Sequence, residues 1–395
     1  MHWCSTLLRE VPLEIAVAQA CDRVRETFPD GDPDLLFLFV SGYAPEALEH
    51  LPGHFQNDFT RTLIMGCTAG GVVGEGREVE RERALSLTAA GLPGIKLNPF
   101  HVDGEQALNF QNHPELLTRT LSVAPESSPD FILLADSFSF DPAPFLKTLD
   151  ESFPGSTKVG GLASGGGAPG GNRLILGDRS FQTGLIGLAL SGDVALDSLV
   201  AQGCRPIGNP MFITGGEGHL LRELDGKPVL EVLGELYGQL PPEDRELFQH
   251  SLFLGIAMRG QQQEYHAGDF LIRNLAGVLE EEGALAVGAH LHEGMVVHFH
   301  LRDKVTSAQD LEAMCRRYQM AHGAEHQAPE GALLFSCLGR GIHLYGVPDH
   351  DSKLLQKFFG PIPIGGFFCN GEIGPVHHQT FLHGYTSSVA LFRRK

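Results

Sequence analysis

The sequence predicts an α/β (α+β) protein of two domains, with mixed, largely antiparallel sheets whose outer faces carry helices. Three observations lead to this prediction. At 395 residues the chain is longer than one hydrophobic core usually accommodates, so two domains are expected. Apolar residues make up 42% and charged residues 19%, a composition typical of globular rather than disordered chains. Short apolar segments typical of buried strands alternate with helix-like segments along the chain.

The order of strand, helix, strand, glycine loop and strand occurs three times. The first strands are predicted within residues 33–42, 129–138 and 331–340, and the glycine loops within residues 63–76, 158–167 and 362–375. From Leu35, Ile132 and Leu333, the first loop glycine follows after 31, 28 and 32 positions, respectively. This regular spacing predicts a diverged internal repeat. Chance similarity among short apolar segments is the alternative.

The region between the second and third copies follows a different pattern. Asp225-Gly226 and Glu293-Gly294 stand between apolar segments and are typical of hairpin turns. We place the domain boundary at the first of these turns. This predicts an N-terminal domain of residues 30–225 and a C-terminal domain of residues 226–390.

Charge and cysteine usage limit the classes of partner. The net charge is −19 and no cluster of Lys and Arg is larger than a pair, which argues against nucleic acid and anionic membrane surfaces. The seven cysteines form no CxxC pair, and the N-terminus has no apolar signal-peptide segment. The longest apolar segments, such as residues 35–40, are too short to span a membrane. We therefore expect a soluble protein of the reducing cytoplasm.

Five segments together resemble one known family. They are GCTAGG (66–71), PIGNPMFITGGEGHLLRELDGKPVLEVL (206–233), FLIRNLAGV (270–278), EGMVVHFHLRD (293–303) and GGFFCNGEIGPV (365–376). In this order they resemble the FIST (F-box and intracellular signal transduction) proteins, with an N-terminal and a C-terminal FIST module. The resemblance implies a sensory domain for small ligands, with amino acids as proposed ligands. Only about thirty residues precede the first repeat, too few for an F-box and a linker, so a stand-alone form is expected.

The glycine loops do not match the common catalytic or nucleotide-binding motifs. None has the GxxxxGK[ST] pattern of a phosphate-binding loop. Ser164 lacks the glycine that a nucleophile elbow requires at position 162, where leucine stands. Cys67 and Cys369 lie where exposed backbone N–H groups lower a thiol pKa, but no oriented base is evident. We predict no catalytic residue; the alternatives are a cysteine-dependent enzyme using Cys369 or Cys67, and a scaffold that binds only proteins.

Four histidines flank the predicted turn at Glu293-Gly294: His290, His292, His298 and His300. Imidazoles at this density are able to bind zinc or copper. The strand register that decides which side chains face each other is not evident from the sequence. We therefore expect the polar face of an ordinary hairpin, with no metal and no cofactor, and leave metal binding open.

Small-molecule binding is the chemistry that the glycine loops favour. Glycine lets backbone N–H groups approach a ligand closely, and successive N–H groups form a site for anions such as carboxylates. Arg205 and Arg302 are candidates for carboxylate recognition, although an ion pair within the protein is an equal alternative for each. Asn370 or Glu372 would then meet an ammonium or another polar group. The complete predicted ligand site is Cys67, Thr68, Gly70, Gly71, Ser164, Arg205, Arg302, Cys369, Asn370 and Glu372.

These loops are expected to converge on a shared cleft. The predicted function is a stand-alone intracellular sensor of a small polar ligand, amino acid-like or another small carboxylate, without chemistry. Such a sensor requires a signalling protein partner, which the sequence does not identify.

Overall fold

The computed structural model describes residues 1–260, 262–323 and 328–395. The chain divides into two compact units. The first unit comprises residues 1–201, 312–382 and 386–395, and the second comprises residues 202–311 and 383–385. These units follow spatial contacts, whereas the boundary at residue 225 separates sequence modules and stays a prediction.

The first unit contains three six-stranded sheets of one design. Strands and helices are numbered in chain order. The first sheet has the spatial order His2–Arg9 (β1), Ala84–Gly91 (β6), Leu35–Ser41 (β2), Leu63–Ala69 (β3), Leu174–Leu176 (β10) and Arg179–Phe181 (β11). The second has the order Lys96–Val102 (β7), Leu185–Ser191 (β12), Asp130–Asp136 (β8), Lys158–Ala163 (β9), Glu372–Val376 (β22) and Gln379–His383 (β23). The third has the order Ala195–Ala201 (β13), Ser387–Arg393 (β24), Gly331–Cys337 (β20), Ile364–Cys369 (β21), Gly71–Gly74 (β4) and Arg77–Glu80 (β5).

Each sheet has one parallel pair at its centre: β2 with β3, β8 with β9, and β20 with β21. The other pairings are antiparallel, so the prediction of mixed, largely antiparallel sheets built on a diverged repeat is confirmed. A glycine occupies the same place in each second strand, at Gly66, Gly160 and Gly366. An added Cβ there would lie 1.7 to 2.0 Å from a carbonyl oxygen of the first strand, so glycine is required for steric reasons. The matching glycine of the third copy is therefore Gly366 rather than Gly365.

In each copy, the hairpin that follows the second strand pairs with the sheet of another copy. The first copy's hairpin β4–β5 joins β21, the second copy's β10–β11 joins β3, and the third copy's β22–β23 joins β9. The exchange is cyclic, and it puts Val73, Ile175 and Ile373 opposite the three required glycines. Because every copy both gives and receives a hairpin, the three copies form one unit.

Helices cover the outer faces of the sheets, as predicted. Residues Phe37, Ile132 and Phe335, one from each sheet, contribute to one central core. Alternate strand residues such as Leu36 and Leu38 pack against helices instead. Burial of both faces explains why these strands are almost continuously apolar in sequence.

The helices of the whole chain are Leu13–Thr27 (α1), Leu51–Asp58 (α2), Gly104–Asn112 (α3), Pro114–Leu121 (α4), Pro142–Ser152 (α5), Val229–Gln239 (α6), Pro242–His250 (α7), Lys304–His322 (α8), Ile342–Tyr345 (α9) and His350–Phe359 (α10). Short 3₁₀ turns lie at Pro45–Leu48, Pro125–Ser127, Ala267–Asp269 and Glu280–Glu282.

The second unit is a closed antiparallel barrel. Its strands, in spatial order, are Cys204–Leu224 (β14), Ala284–Leu291 (β18), Phe270–Leu279 (β17), Leu252–Ala257 (β16) and Val296–Arg302 (β19), with Lys227–Pro228 (β15) paired to the end of β14. The barrel closes because β14, 21 residues long, pairs with both β18 and β19. The first predicted hairpin turn, Asp225-Gly226, lies between β14 and β15 with positive φ at both residues. The second prediction was wrong: Glu293-Gly294 connects β18 to β19, but these strands are not neighbours, because β14 lies between them.

In the described ranges, no helix has the length and apolar character that crossing a membrane requires.

Candidate functional site

A cavity of about 500 Å³ lies at the carboxyl ends of β2 and β3. Val40 and Thr68 mark the two strand ends, and Tyr43 and Glu46 of the following connection line one side. The glycine-rich segment 165–171 and Arg173 line another side. Every one of these residues belongs to the first unit. The cavity is thus formed by strand ends of the first copy and a loop of the second copy.

The loop wall of this cavity is an insertion in the second copy. The hairpin residue that pairs with a required glycine stands seven positions after its own copy's glycine in the first and third copies, at Val73 and Ile373. In the second copy the matching residue, Ile175, stands fifteen positions after Gly160. The eight additional residues are SGGGAPGG, residues 164–171. The threefold repeat is therefore broken at the place where the cavity opens.

Arg173 occupies the position that glycine holds in the other two copies, at Gly71 and Gly371. It is buried, and its Nη1 donates to the carbonyl oxygens of Gly170 and Asn172 at 2.7 and 2.9 Å. Its Nη2 is 3.6 Å from a carboxylate oxygen of Glu49, and its buried Nε donates to no other described residue. Arg173 therefore fixes the inserted loop and still has donor capacity beside the cavity.

Ser164, the first inserted residue, joins the strand ends of the three copies. Its Oγ accepts a hydrogen bond from the Gly70 N–H at 3.0 Å and donates to the carbonyl oxygen of Phe368. The N–H groups of Ser164 and Gly165 both donate to the carbonyl oxygen of Thr68, at 3.2 and 3.3 Å. The Ser164 hydroxyl is engaged on both sides and has no base beside it in these bonds, which fits a structural role.

Asn172 holds the far end of the insertion. Its Nδ2 donates to Oδ1 of Asp136 at 2.9 Å, and its Oδ1 accepts from the N–H of Gly166 at 2.7 Å. The Arg173 N–H donates to Oγ1 of Thr68 at 2.9 Å. Both ends of the insertion are thus anchored by buried polar groups, whereas residues 167–170 between them are exposed.

Cys67 and Cys369 are fully buried in the central core. Burial raises the pKa of both thiols well above the ordinary value. A reactive thiolate needs the opposite shift and access to a substrate. Neither thiol lines the cavity, and the cysteine-dependent enzyme gains no support from their surroundings.

The remaining predicted loop residues lie at strand ends of the first unit, outside the cavity lining. Gly71 is packed so tightly that a Cβ would lie 2.7 Å from the Val79 carbonyl oxygen. Glu372 is fully buried, and its carboxylate accepts the Thr386 N–H at 3.1 Å. Asn370 is exposed, with its Nδ2 3.4 Å from Oγ of Ser137. Among the ten residues predicted from sequence, Thr68 lines the cavity, and Gly70 and Ser164 bond to each other at its edge. Ligand binding by all ten stays a prediction.

The two predicted arginines belong to the second unit, on the paired strands β14 and β19. Both terminal nitrogens of the Arg205 guanidinium donate to the Asp244 carboxylate, and its Nε donates to Asp303 at 3.1 Å. Arg302 is buried, with its guanidinium carbon 5.1 Å from the centre of the Tyr385 ring. The fork of Arg205 is thus engaged in ion pairs within the protein, which is the alternative that the sequence left open.

The four histidines separate into two environments. His298 and His300 are buried on β19, where burial lowers the pKa of both and brings that of His300 to about 4. His290 packs against the ring of His219, with centroids 4.3 Å apart, and Nδ1 of His292 bonds to the Glu293 carbonyl. Within the described part of the chain, His, Cys, Asp and Glu form no group of three or more that could hold a metal ion.

Comparison with known protein families identifies the chain. Residues 34–227 match the FIST N domain and residues 230–375 match the FIST C domain. The protein belongs to the FIST family. FIST domains are sensory domains of signal transduction.

Relatives of this FIST protein include full-length and partial matches. An uncharacterized protein of Mycobacterium tuberculosis strain H37Rv is 35% identical over 381 residues, covering 95% of this chain and 96% of the relative. An uncharacterized protein of Mycobacterium bovis is 32% identical over 382 residues, covering 95% of both chains. Human F-box only protein 22 is 27% identical over 144 residues, covering 30% of this chain and 35% of the relative.

Among solved structures, a cyanuric acid hydrolase from A. caulinodans covers 100% of this FIST chain and 99% of its own, at 8% identity and a TM-score of 0.38. Similarity at that level supports no conclusion about activity.

Proposed function

We propose that this FIST protein is a sensor that binds a small polar ligand with a carboxylate group, such as an amino acid, in the cavity at the ends of β2 and β3. The observation that carries the proposal is the broken repeat. Of three equivalent loops, one is eight residues longer, and that loop and Arg173 form the wall of the cavity.

The chemistry of the lining suits such a ligand. Ligands of open α/β sheets bind beyond the carboxyl ends of parallel strands, where β2 and β3 end. A volume of about 500 Å³ lies within the range of small-molecule sites. A guanidinium recognises carboxylate oxygens by paired hydrogen bonds, and exposed glycine N–H groups add donors. Glu46, which also lines the cavity, supplies an acceptor for an ammonium group.

Binding would transmit a signal by changing the inserted loop. Its anchors, Ser164 and Asn172, are buried or half-buried and fully bonded, but its centre is exposed and held mainly by Arg173. A ligand that engages Arg173 would favour one arrangement of this loop over others, which is the differential affinity that signalling requires. A protein partner would read that arrangement. The seven free cysteines agree with the predicted cytoplasmic location.

A thermal-shift screen tests the proposal. The protein is heated with each of the twenty amino acids, with small mono- and dicarboxylates, and with their amides as neutral controls. A ligand at 100 times its Kd stabilises the native state by about 2.7 kcal/mol, which raises Tm by several degrees. We expect a shift for at least one carboxylate and none for its amide.

Two arginine variants locate the site. We expect Arg173→Met to abolish the shift and Arg205→Met to retain it, because the Arg205 fork is engaged by Asp244 and Asp303. Loss of the shift only in the Arg205 variant would move the site to the second unit. No shift with any ligand would favour the scaffold that binds only proteins.

A further inference from the structure

The last register pair of the central parallel strands differs among the three copies. The pairs are, in order, Ser41 with Ala69, Asp136 with Ala163, and Cys337 with Cys369. The third copy thus has a cysteine on both strands where the other two have none. Neighbouring strands lie about 4.8 Å apart, and the Cα atoms of disulfide-bonded cysteines lie about 4.4–6.8 Å apart. The backbone therefore holds Cys337 and Cys369 within the range of a disulfide.

The two cysteines also share a face of their sheet. Phe335 and Cys369 both lie in the central core. Phe335 stands two positions before Cys337, and alternate residues of a strand point to the same face, so Cys337 points to the central core as well. Burial raises the pKa of the Cys369 thiol, and the charges of Cys67 and Cys337 add to that rise. Two thiols on neighbouring strands therefore face each other's surroundings.

Cys337 is the more accessible of the two. It is half-buried at the carboxyl end of β20, whereas Cys369 is fully buried. The N–H of Gly339 donates to Sγ of Cys337 at 3.5 Å. Burial lowers the pKa of Arg340, but nearby charges, among them that of Cys337, raise it overall. An N–H donor and a guanidinium beside a thiol favour the thiolate, which is the form that reacts with oxidants. Cys337 is thus placed to react first.

We propose that Cys337 and Cys369 are a redox site that forms a reversible disulfide on reaction with a hydroperoxide. The Cys337 thiolate attacks the terminal peroxide oxygen, the O–O bond breaks, and the leaving oxygen takes up a proton. The Cys369 sulfur then displaces the hydroxyl group from the Cys337 sulfenic acid, and the Cys369 proton leaves with that group as water. Two thiols lose two electrons to form one S–S bond, and the peroxide gains both electrons.

The disulfide would tie β20 to β21 where the Leu338 N–H donates to the Cys369 carbonyl oxygen at 3.0 Å. Disulfides in reducing compartments are usually transient and redox-sensing, which fits a sensory protein in the predicted cytoplasmic location. This inference does not depend on the small ligand or on the cavity of the first copy.

Oxidation of the complete protein with hydrogen peroxide tests the pair. The chain has seven cysteines, and we expect the number of thiols counted in denaturant to fall from seven to five. Tryptic digestion should then yield two peptides linked through Cys337 and Cys369. Dithiothreitol should restore the count of seven, because the sulfur atoms have not passed beyond the disulfide stage.

The first copy supplies conservative variants for both positions. Cys337→Ser and Cys369→Ala introduce the residues that the first copy has in the matching register pair, Ser41 and Ala69. In Cys337→Ser, all six remaining thiols should survive the same exposure. In Cys369→Ala, dimedone, which labels sulfenic acids, should mark Cys337. Cys4→Ser is the matched control, because Cys4 is also half-buried, and its thiol count should fall from six to four.

Three results would overturn the inference. One is a count that stays at seven after an exposure that fully oxidises glutathione in a parallel sample. The second is a disulfide that joins Cys369 to Cys67 instead of Cys337. The third is a link through Cys337 between two molecules, which a non-reducing gel reveals. Circular dichroism and Tm of each variant establish that a lost disulfide does not come from unfolding.

Discussion

The carboxyl end of the central parallel strands is open in the first copy and closed in the third. In the first copy this end opens into a cavity, and Arg173 has as its nearest carboxylate the half-exposed Glu49, at 3.6 Å. In the third copy Arg340 is fully buried, and its Nε and Nη2 donate to Asp351 at 2.8 and 3.2 Å. The same scaffold thus holds one arginine paired with a buried carboxylate of the protein and one whose nearest carboxylate is half-exposed.

A hairpin from the first copy closes the end of the third. Glu78 on β5 is buried, and its Oε1 accepts the N–H of Ser352, in the first turn of α10, at 2.7 Å. The Glu78 N–H donates to Oδ1 of Asp349 at 2.8 Å. Carboxyl groups of the protein itself therefore occupy this end. In the proposed function, the carboxylate of the ligand would take at the open end the role that Asp351 has in the third copy.

Removing the Asp351 carboxylate is expected to have the largest effect on the free energy of unfolding. Asp351→Ala would leave Arg340 buried without its partner, and breaking a buried pair in this way typically costs about 3–5 kcal/mol. Denaturant unfolding measures the loss. Glu82→Gln is the control, because its pair with Arg9 is 2.6 Å long but about 40% exposed, and such pairs contribute about 1 kcal/mol or less. Equal losses in the two variants would contradict the view that the third end is closed by a buried ion pair.

Gly66 of the first copy and Gly366 of the third are expected to be equally intolerant of a side chain. Gly66→Ala and Gly366→Ala would each bring a Cβ to within 2.0 Å of a backbone carbonyl oxygen, so both should lower the free energy of unfolding by about 2–3 kcal/mol or more. Gly53→Ala on α2 is the control: it has open space around it, and alanine favours a helix by about 0.5–1 kcal/mol. The assigned equivalence would be wrong if only one of the two strand glycines proved sensitive.

The contribution of Glu78 to stability is smaller and should depend on pH. Burial, together with the nearby charge of Asp351, raises the pKa of Glu78 to about 8. A carboxyl whose pKa is higher in the folded state contributes stability at low pH, and this contribution declines as pH rises from the unfolded value, near 4.5, through 8. Glu78→Gln cannot ionise and still offers an oxygen to Ser352. Its Tm should therefore rise relative to that of the parent protein, by a few degrees, between pH 5 and pH 9.

Thermal melts at five pH values measure this difference. Parallel Tm curves for the parent and the Glu78→Gln variant would show that Glu78 ionises normally in the folded protein.

Much of the repeat was predictable because burial of both sheet faces leaves a direct trace in sequence. The strand residues 35–41, LLFLFVS, are all buried, and such apolar segments bounded by turn residues are visible without a structure. The exchange of hairpins was not predictable. The short segments at 71–80 and 174–181 form local turns, but their sequence does not say which sheet they join.

The candidate site was predicted in part. Thr68, Gly70 and Ser164 were selected because glycine loops follow strands, and these residues meet at the cavity or its edge. Arg205 was selected from its motif, but its partners Asp244 and Asp303 are 39 and 98 positions away, beyond what local sequence indicates.

Arg173 was missed because an isolated arginine matches no motif. A signal for it does exist in the sequence: between its loop glycine and the hairpin residue that pairs with a glycine, the second copy has eight more residues than the other two. That comparison requires the hairpins to be aligned, and their short strands carry too little pattern for an alignment from sequence alone.

Deletion of residues 164–171 tests the central claim most directly. The deletion joins Ala163 to Asn172, which reproduces the short connections Ala69-Gly70 and Cys369-Asn370 of the other copies. We expect a folded protein with a circular dichroism spectrum like that of the parent, whose Tm no longer responds to the carboxylate that gives the largest shift in the screen. A folded deletion variant that responds to that carboxylate as the parent does would contradict the account.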